Sequence, residues 1–189
     1  MEIHKNHIYY QLRYFNFVVI PDIDVRLVDR QRLTDSMHSN ISNQLILISA
    51  PAGYGKTTLL YQFTQKNPAI NYYWIQGNEL ANSPISLLKL FTESFRSKIN
   101  TFGDEYYFLL ETYEKEIDID NNIYNEFLLH FKNEISKLNG NNILILDDFQ
   151  VLEQSNQKNK INELVNSLIK DKIHGLTIII SSREDFDIK

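Results

Sequence analysis

The chain has 189 residues, 43% hydrophobic and 23% charged, the composition of one folded domain rather than of a disordered or fibrous chain. Lys plus Arg number 19 against 24 Asp plus Glu, a net charge of −5, which argues against a broad basic face for nucleic acid. With no Cys and five scattered His, disulfides, thiolate metal sites and a cysteine nucleophile are excluded, and no zinc spacing is present.

The chain opens on an apolar patch, MEIHKNHIYYQLRYFNFVVI, interrupted by Gln11, Arg13 and Asn16. It is too short and too mixed to span a membrane, and no small-residue cleavage site follows. The expectation is a cytoplasmic protein without a membrane association. Residues 1–24 form a segment of uncertain role, and residues 25–189 read as one domain.

From there short apolar runs alternate with amphipathic stretches, the rhythm of a mostly parallel α/β sheet. QLILIS, residues 44–49, is a strand buried on both faces. A Gly-containing turn leads into KTTLLYQFTQK, a helix that ends before Pro68. INYYWIQ, residues 70–76, is a second strand. Ser83 caps a helix that has Pro84 at its first position and apolar residues at helical spacing through ISLLKLFTESFRSK. Residues 101–138 read as two helices joined by an acidic linker at 116–120. NILILDD, residues 142–148, is a third strand, residues 158–170 a helix, and LTIIISSR, residues 176–183, a fourth strand. Trp74 and the many Tyr and Phe read as packing.

The chemistry concentrates in APAGYGKTT, residues 50–58. Backbone N–H groups that wrap a phosphate need small residues, and Gly53 and Gly55 supply them. Ala52, Gly53, Tyr54, Gly55, Lys56, Thr57 and Thr58 are the candidate nucleotide contacts. Lys56 would reach the β- and γ-phosphates, Thr57 would ligate Mg²⁺, and Thr58 would face the α-phosphate. Ala50 stands where the full G-x-x-x-x-G-K-[ST] pattern has its first Gly. Without that residue, a Gly-rich turn carrying an exposed Lys is the competing reading.

About ninety residues on, the third strand ends in Asp147 and Asp148. Two acids at a strand end are ordinarily a solvated turn. Beside a phosphate loop, Asp147 fits the partner of a Mg²⁺ held by Thr57, and Asp148 could orient or deprotonate an attacking water. If the fourth strand lies between the first and third, Arg183 at its tip faces the γ-phosphate. The alternative is a surface pairing of Arg183 with Glu184 or Asp185.

LISAPAGYGKTTLL resembles the phosphate loop of the maltose-activator (MalT-like) branch of the STAND ATPases, the large ATP-binding regulators of LuxR type. In that family Ala commonly replaces the first Gly. The resemblance continues in order through VRLVDRQRL (25–33), YYWIQGNELANSPISLLKLF, ILILDDFQVL and LTIIISSRED. It implies a three-layer P-loop NTPase fold of the ASCE/STAND type. It also implies an ATP/ADP switch domain with slow hydrolysis, in a transcriptional regulator whose ATP state can self-associate. Arg30, in the segment that precedes the loop, is implied to contact the base or phosphate side of the nucleotide.

Three departures stand out. The acidic cluster after the Trp strand is reduced to Gln76-Gly77-Asn78-Glu79, and residues 1–24 have no counterpart. The family's fifth strand, winged helix, sensor repeats and helix-turn-helix lie outside the 189 residues, so this chain alone is not expected to bind DNA. Two other functions compete. A phosphotransferase would need an Arg-rich lid, and only Arg26, Arg30 and Arg32 cluster. A non-catalytic interaction module would not bind nucleotide. With no fifth strand, the outer edge of the first strand calls for a cover, and the Tyr-, Phe- and Val-rich residues 8–20 are the candidate, extended along that edge or exchanged with a neighbouring molecule.

Overall fold

Four apolar runs pair into one parallel sheet in the computed structural model, which describes residues 17–23, 27–113 and 121–184. The strands are β1 (Leu45–Ser49), β2 (Asn71–Gln76), β3 (Asn142–Asp147) and β4 (Leu176–Ser182), in the order β1-β4-β3-β2. β4 therefore lies between β1 and β3, as expected. Each strand begins or ends within a residue of its reading from sequence. The register aligns Ser49 with Ser182 and Gln76 with Asp147, which gathers the carboxyl ends of all four strands at one edge.

Every residue of β3 and β4 is buried, because the central strands are covered on both faces. The pleat divides their side chains between two cores. Tyr73, Ile75, Leu144, Leu146, Ile178 and Ile180 face one side. There they meet α3 (Pro84–Arg96), α4 (Asp104–Tyr113), α5 (Asn121–Ser136) and α6 (Lys158–Lys170). Tyr72, Trp74, Ile143, Ile145 and Ile179 face the other, against α1 (Gln31–Ser39) and α2 (Lys56–Lys66). Three layers result.

Ser83 caps α3 as read. Its hydroxyl accepts from Ser86 N–H, the Ser86 hydroxyl accepts from Ser83 N–H, and Pro84 fills the first turn. α4 and α5 are the two expected middle helices, and the acidic linker at 116–120 lies outside the described residues. Two elements are not evident from pattern. α1 buries only Thr34 and Met37, too few for a recognisable apolar stripe. A 3₁₀ turn, Phe149–Gln154, follows β3 directly after Asp148 adopts a left-handed backbone at φ 53°.

Of the segment expected along the β1 edge, residues 8–16 lie outside the described residues. Residues 17–20 pack elsewhere. The Phe17 carbonyl accepts from Gln76 N–H at 2.8 Å, at the end of β2 on the opposite margin of the sheet. Val18 is seated in the larger core and Ile20 against the smaller one, so apolar burial holds this stretch at the β2 side.

Candidate phosphate-loop site

Residues 50–55 carry the chain from the tip of β1 into α2. Gly53 and Gly55 both have positive φ, 82° and 72°, which L side chains rarely adopt. Gly53 needs only that conformation, since a Cβ there would meet nothing within 4 Å. Gly55 needs room as well, because its Cβ would lie 2.7 Å from Arg30 Nη2. Ala52, Gly53 and Tyr54 are exposed on the outside of the turn. Lys56, Thr57 and Thr58 form the first turn of α2, whose N–H groups have no acceptor within the helix. No acidic side chain occupies that turn, so nothing there competes with an anion for the positive end of the helix. Lys56 is buried, and its ammonium donates to the carbonyls of Ala50 at 2.7 Å and Pro51 at 3.3 Å. The competing picture of an exposed Lys on an ordinary turn does not describe this residue.

Thr57 meets the third strand. Its Oγ1 donates to Asp147 Oδ2 at 2.7 Å, across 90 residues of sequence. Asp147 Oδ1 accepts from the Ser181 hydroxyl on β4 and from the Asp148 N–H at 3.1 Å. Burial pushes the Asp147 carboxyl above the usual aspartate range. The Ser181 and Thr57 hydroxyls oppose that rise, and the neighbouring Asp148 charge adds to it. A hydroxyl and a carboxylate in contact are the hard oxygen donors that Mg²⁺ takes. Among the described residues no three His, Cys, Asp or Glu cluster as a self-sufficient metal cage, and Mg²⁺ shared with phosphates requires none.

Asp148 is fixed by two amides that sequence reading missed. Gln76 Nε2 donates to its Oδ2 at 2.8 Å, and Gln150 Nε2 to its Oδ1 at 3.0 Å. Gln150 Oε1 also accepts from Arg183 N–H at 3.1 Å, joining the tips of β3 and β4. Arg183 is thereby placed beside the site through its backbone, with its side chain exposed. Gly77 permits the approach of β2 to β3 here, since a Cβ on it would lie 2.3 Å from the Asp148 carbonyl.

Arg30 reaches the loop from the other side. Its Nη1 donates to the carbonyls of Tyr54 at 2.7 Å and Gly55 at 3.3 Å. Gln62 on α2 seats it, accepting from Arg30 N–H at 3.3 Å and donating to the Val28 carbonyl at 2.8 Å. One turn further along, Lys66 pairs with Asp29 at 2.6 Å. Gln62, like Gln76 and Gln150, is a partner of a site residue that only the folded arrangement reveals.

A parallel three-layer sheet whose first strand runs through a glycine turn into a Lys-Thr helix start, with an acid on a neighbouring strand tip against the Thr, is a P-loop NTPase domain. The chain belongs to the AAA domain family, which matches residues 40–187. It is similar to the HTH-type transcriptional regulator MalT of Vibrio cholerae, 22% identical over 154 residues, and to that of Yersinia pestis, 26% identical over 162. Each alignment covers 82% of this chain and 16% of the regulator, so the chain spans about a sixth of those relatives. These matches bear out the MalT-like resemblance read from the motifs. A Walker-type ATPase of Pyrococcus abyssi shares the fold with a TM-score of 0.53 at 16% identity, over 87% of this chain and 49% of its own. Among the described residues no helix is long and apolar enough to cross a membrane.

Proposed function

We propose that the chain is the ATP/ADP-binding switch domain of a signal-responsive transcriptional regulator, with slow ATP hydrolysis. The contact between Thr57 and Asp147 carries this reading. A helix-start hydroxyl and a strand-tip carboxylate come together beside a buried Lys and a row of first-turn amides. In this reading the loop amides of residues 52–58 cradle the phosphates, and Lys56 turns from the Ala50 and Pro51 carbonyls toward the β- and γ-oxygens. Thr57 and Asp147 would hold Mg²⁺, which would supply positive charge beside the phosphates. Asp148 orients the attacking water, and Arg183 reads the γ-phosphate from the tip of β4.

In this reading the Gln76 and Gln150 amides hold the Asp148 carboxylate in place with one N–H on each oxygen, and its remaining lone pairs are the ones that orient the attacking water. The name carried by the similar regulators supports a role in transcription control, and a cytoplasmic location with self-association as the output is part of the same proposal. In this reading DNA contact belongs to other parts of such a regulator, and a net charge of −5 disfavours phosphate binding by this chain.

Calorimetric titration with ATP and Mg²⁺ tests the reading. Wild type binds, and Lys56→Ala weakens binding by at least about tenfold, the scale of losing one charge-assisted contact of roughly 1.5–3 kcal/mol. Equal affinities would remove the assignment.

A further inference from the structure

We infer that Arg30 is a positioning residue of the phosphate loop, holding the Tyr54 and Gly55 carbonyls outward so that the N–H groups of Gly55 and Lys56 point into the cradle. This rests on the nucleotide-binding reading above and replaces the direct nucleotide contact that the resemblance implied for Arg30.

In a planar trans peptide the C=O and the following N–H point in opposite directions. Fixing the Tyr54 carbonyl therefore aims the Gly55 N–H, and fixing the Gly55 carbonyl aims the Lys56 N–H. One guanidinium nitrogen holds both carbonyls, at 2.7 and 3.3 Å. Gly55 also begins α2 through its carbonyl, which accepts from Leu59 N–H at 2.9 Å. The same oxygen is thus shared between the helix and Arg30, which ties loop orientation to helix direction.

A brace must itself be anchored. Arg30 lies immediately before α1, and its N–H is held by Gln62. The flanking residues are tied to the same helix face: Val28 by Gln62 and Asp29 by Lys66, with Lys66 also donating to Thr34 Oγ1 at 3.4 Å. α2 positions 62 and 66 are one turn apart, so the segment 28–30 is clamped along the helix that the loop begins. Gly55 completes the fit, because any side chain at that position would occupy the space of the guanidinium. With both carbonyls to satisfy, Nη1 is committed to the back of the loop.

Two measurements on the full chain separate this role from a contact with nucleotide. In the ligand-free protein, Arg30→Met is expected to shift the ¹⁵N–¹H resonances of Gly55 and Lys56. In titrations it is expected to weaken ATP and inorganic tripolyphosphate by the same factor, about tenfold, as for one lost charge-assisted contact. Unmoved amide resonances would overturn the inference, and so would a loss confined to ATP, which would mean contact with base or ribose. If wild type binds neither probe, the nucleotide reading fails, while the resonances still decide whether Arg30 sets the loop. Arg30→Lys guards against misfolding of the Met variant. It retains charge and stem without the planar guanidinium, and is expected to give smaller shifts of the same two amides. Wild-type spectra and wild-type affinities in the Lys variant would count against a positioning role for the guanidinium.

Discussion

Asp147 shows how a group proposed to hold a metal can weaken the fold that carries it. It is 1% exposed, and burial raises its pKa above the ordinary aspartate value of 3.8 despite donors from Ser181, Thr57 and the Asp148 amide. A carboxyl whose pKa is higher in the folded state binds more protons folded than unfolded. Stability from this group is therefore fully present below pH 3.8 and is lost as pH rises through the folded-state value. Asp147→Asn cannot ionise and escapes that loss, so it should melt higher than wild type at neutral pH without ligand. The expected gain is a few degrees, given that about 1 kcal/mol corresponds to roughly 2–4 °C for a domain of this size. Melting curves from about pH 4 to about pH 7 check the sign, since the advantage of the Asn variant should grow with pH. Adding Mg²⁺ and ATP should reverse the ranking, because a divalent cation compensates the buried charge only in wild type.

At the level of elements, the junction of β3 with the following 3₁₀ turn carries Asp148, the residue proposed to orient the attacking water. Asp148 is held at positive φ there, a conformation that persists only under surrounding constraint. The end of β2 provides it: Gln76 binds the Asp148 carboxylate, and Gly77 N–H donates to the Asp147 carbonyl at 2.7 Å. Gly77→Ala should force these strand tips apart, costing about 1–3 kcal/mol as overpacking does. Urea unfolding measures that loss, and hydrolysis should fall more than ATP affinity because Asp148 moves while the loop does not. The same junction marks the limit of what sequence discloses. The four strands are legible because buried parallel strands are unbroken apolar runs, and the loop because its glycines and Lys-Thr pair are adjacent in sequence. Gln76-Gly77 looks like a depleted acidic cluster in sequence, whereas folded it is the seat of Asp148, 72 residues away. Gln62 and Gln150 are equally silent, since an amide has no pattern until its partner is known. α1 escapes notice for want of an apolar stripe, and Arg30 is legible as a site residue but not in its direction, which only its contact with the loop carbonyls defines.

For the whole molecule, the sheet makes the site and the cores one cooperative unit. Each strand of the interior sends alternate side chains to the two apolar clusters, as Leu144 and Leu146 do on one side and Ile143 and Ile145 on the other. Neither layer of helices can detach without exposing half of every central strand. The site draws on this whole arrangement, with the loop ending β1, Asp147 ending β3, Ser181 within β4 and Gln76 ending β2. Unfolding any strand dismantles it, so a ligand bound there stabilises the entire domain rather than a local loop. ATP with Mg²⁺ at about a hundred times its dissociation constant should add about 2.7 kcal/mol, or roughly 5–11 °C in Tm for a domain of this size. The melt should remain a single transition, seen alike by far-ultraviolet circular dichroism and by the fluorescence of Trp74, which lies in the smaller core. Lys56→Ala should lose the shift at the same ATP concentration while melting near wild type without ligand. A ligand-induced shift in one probe and not the other would mean that the two faces of the sheet unfold separately.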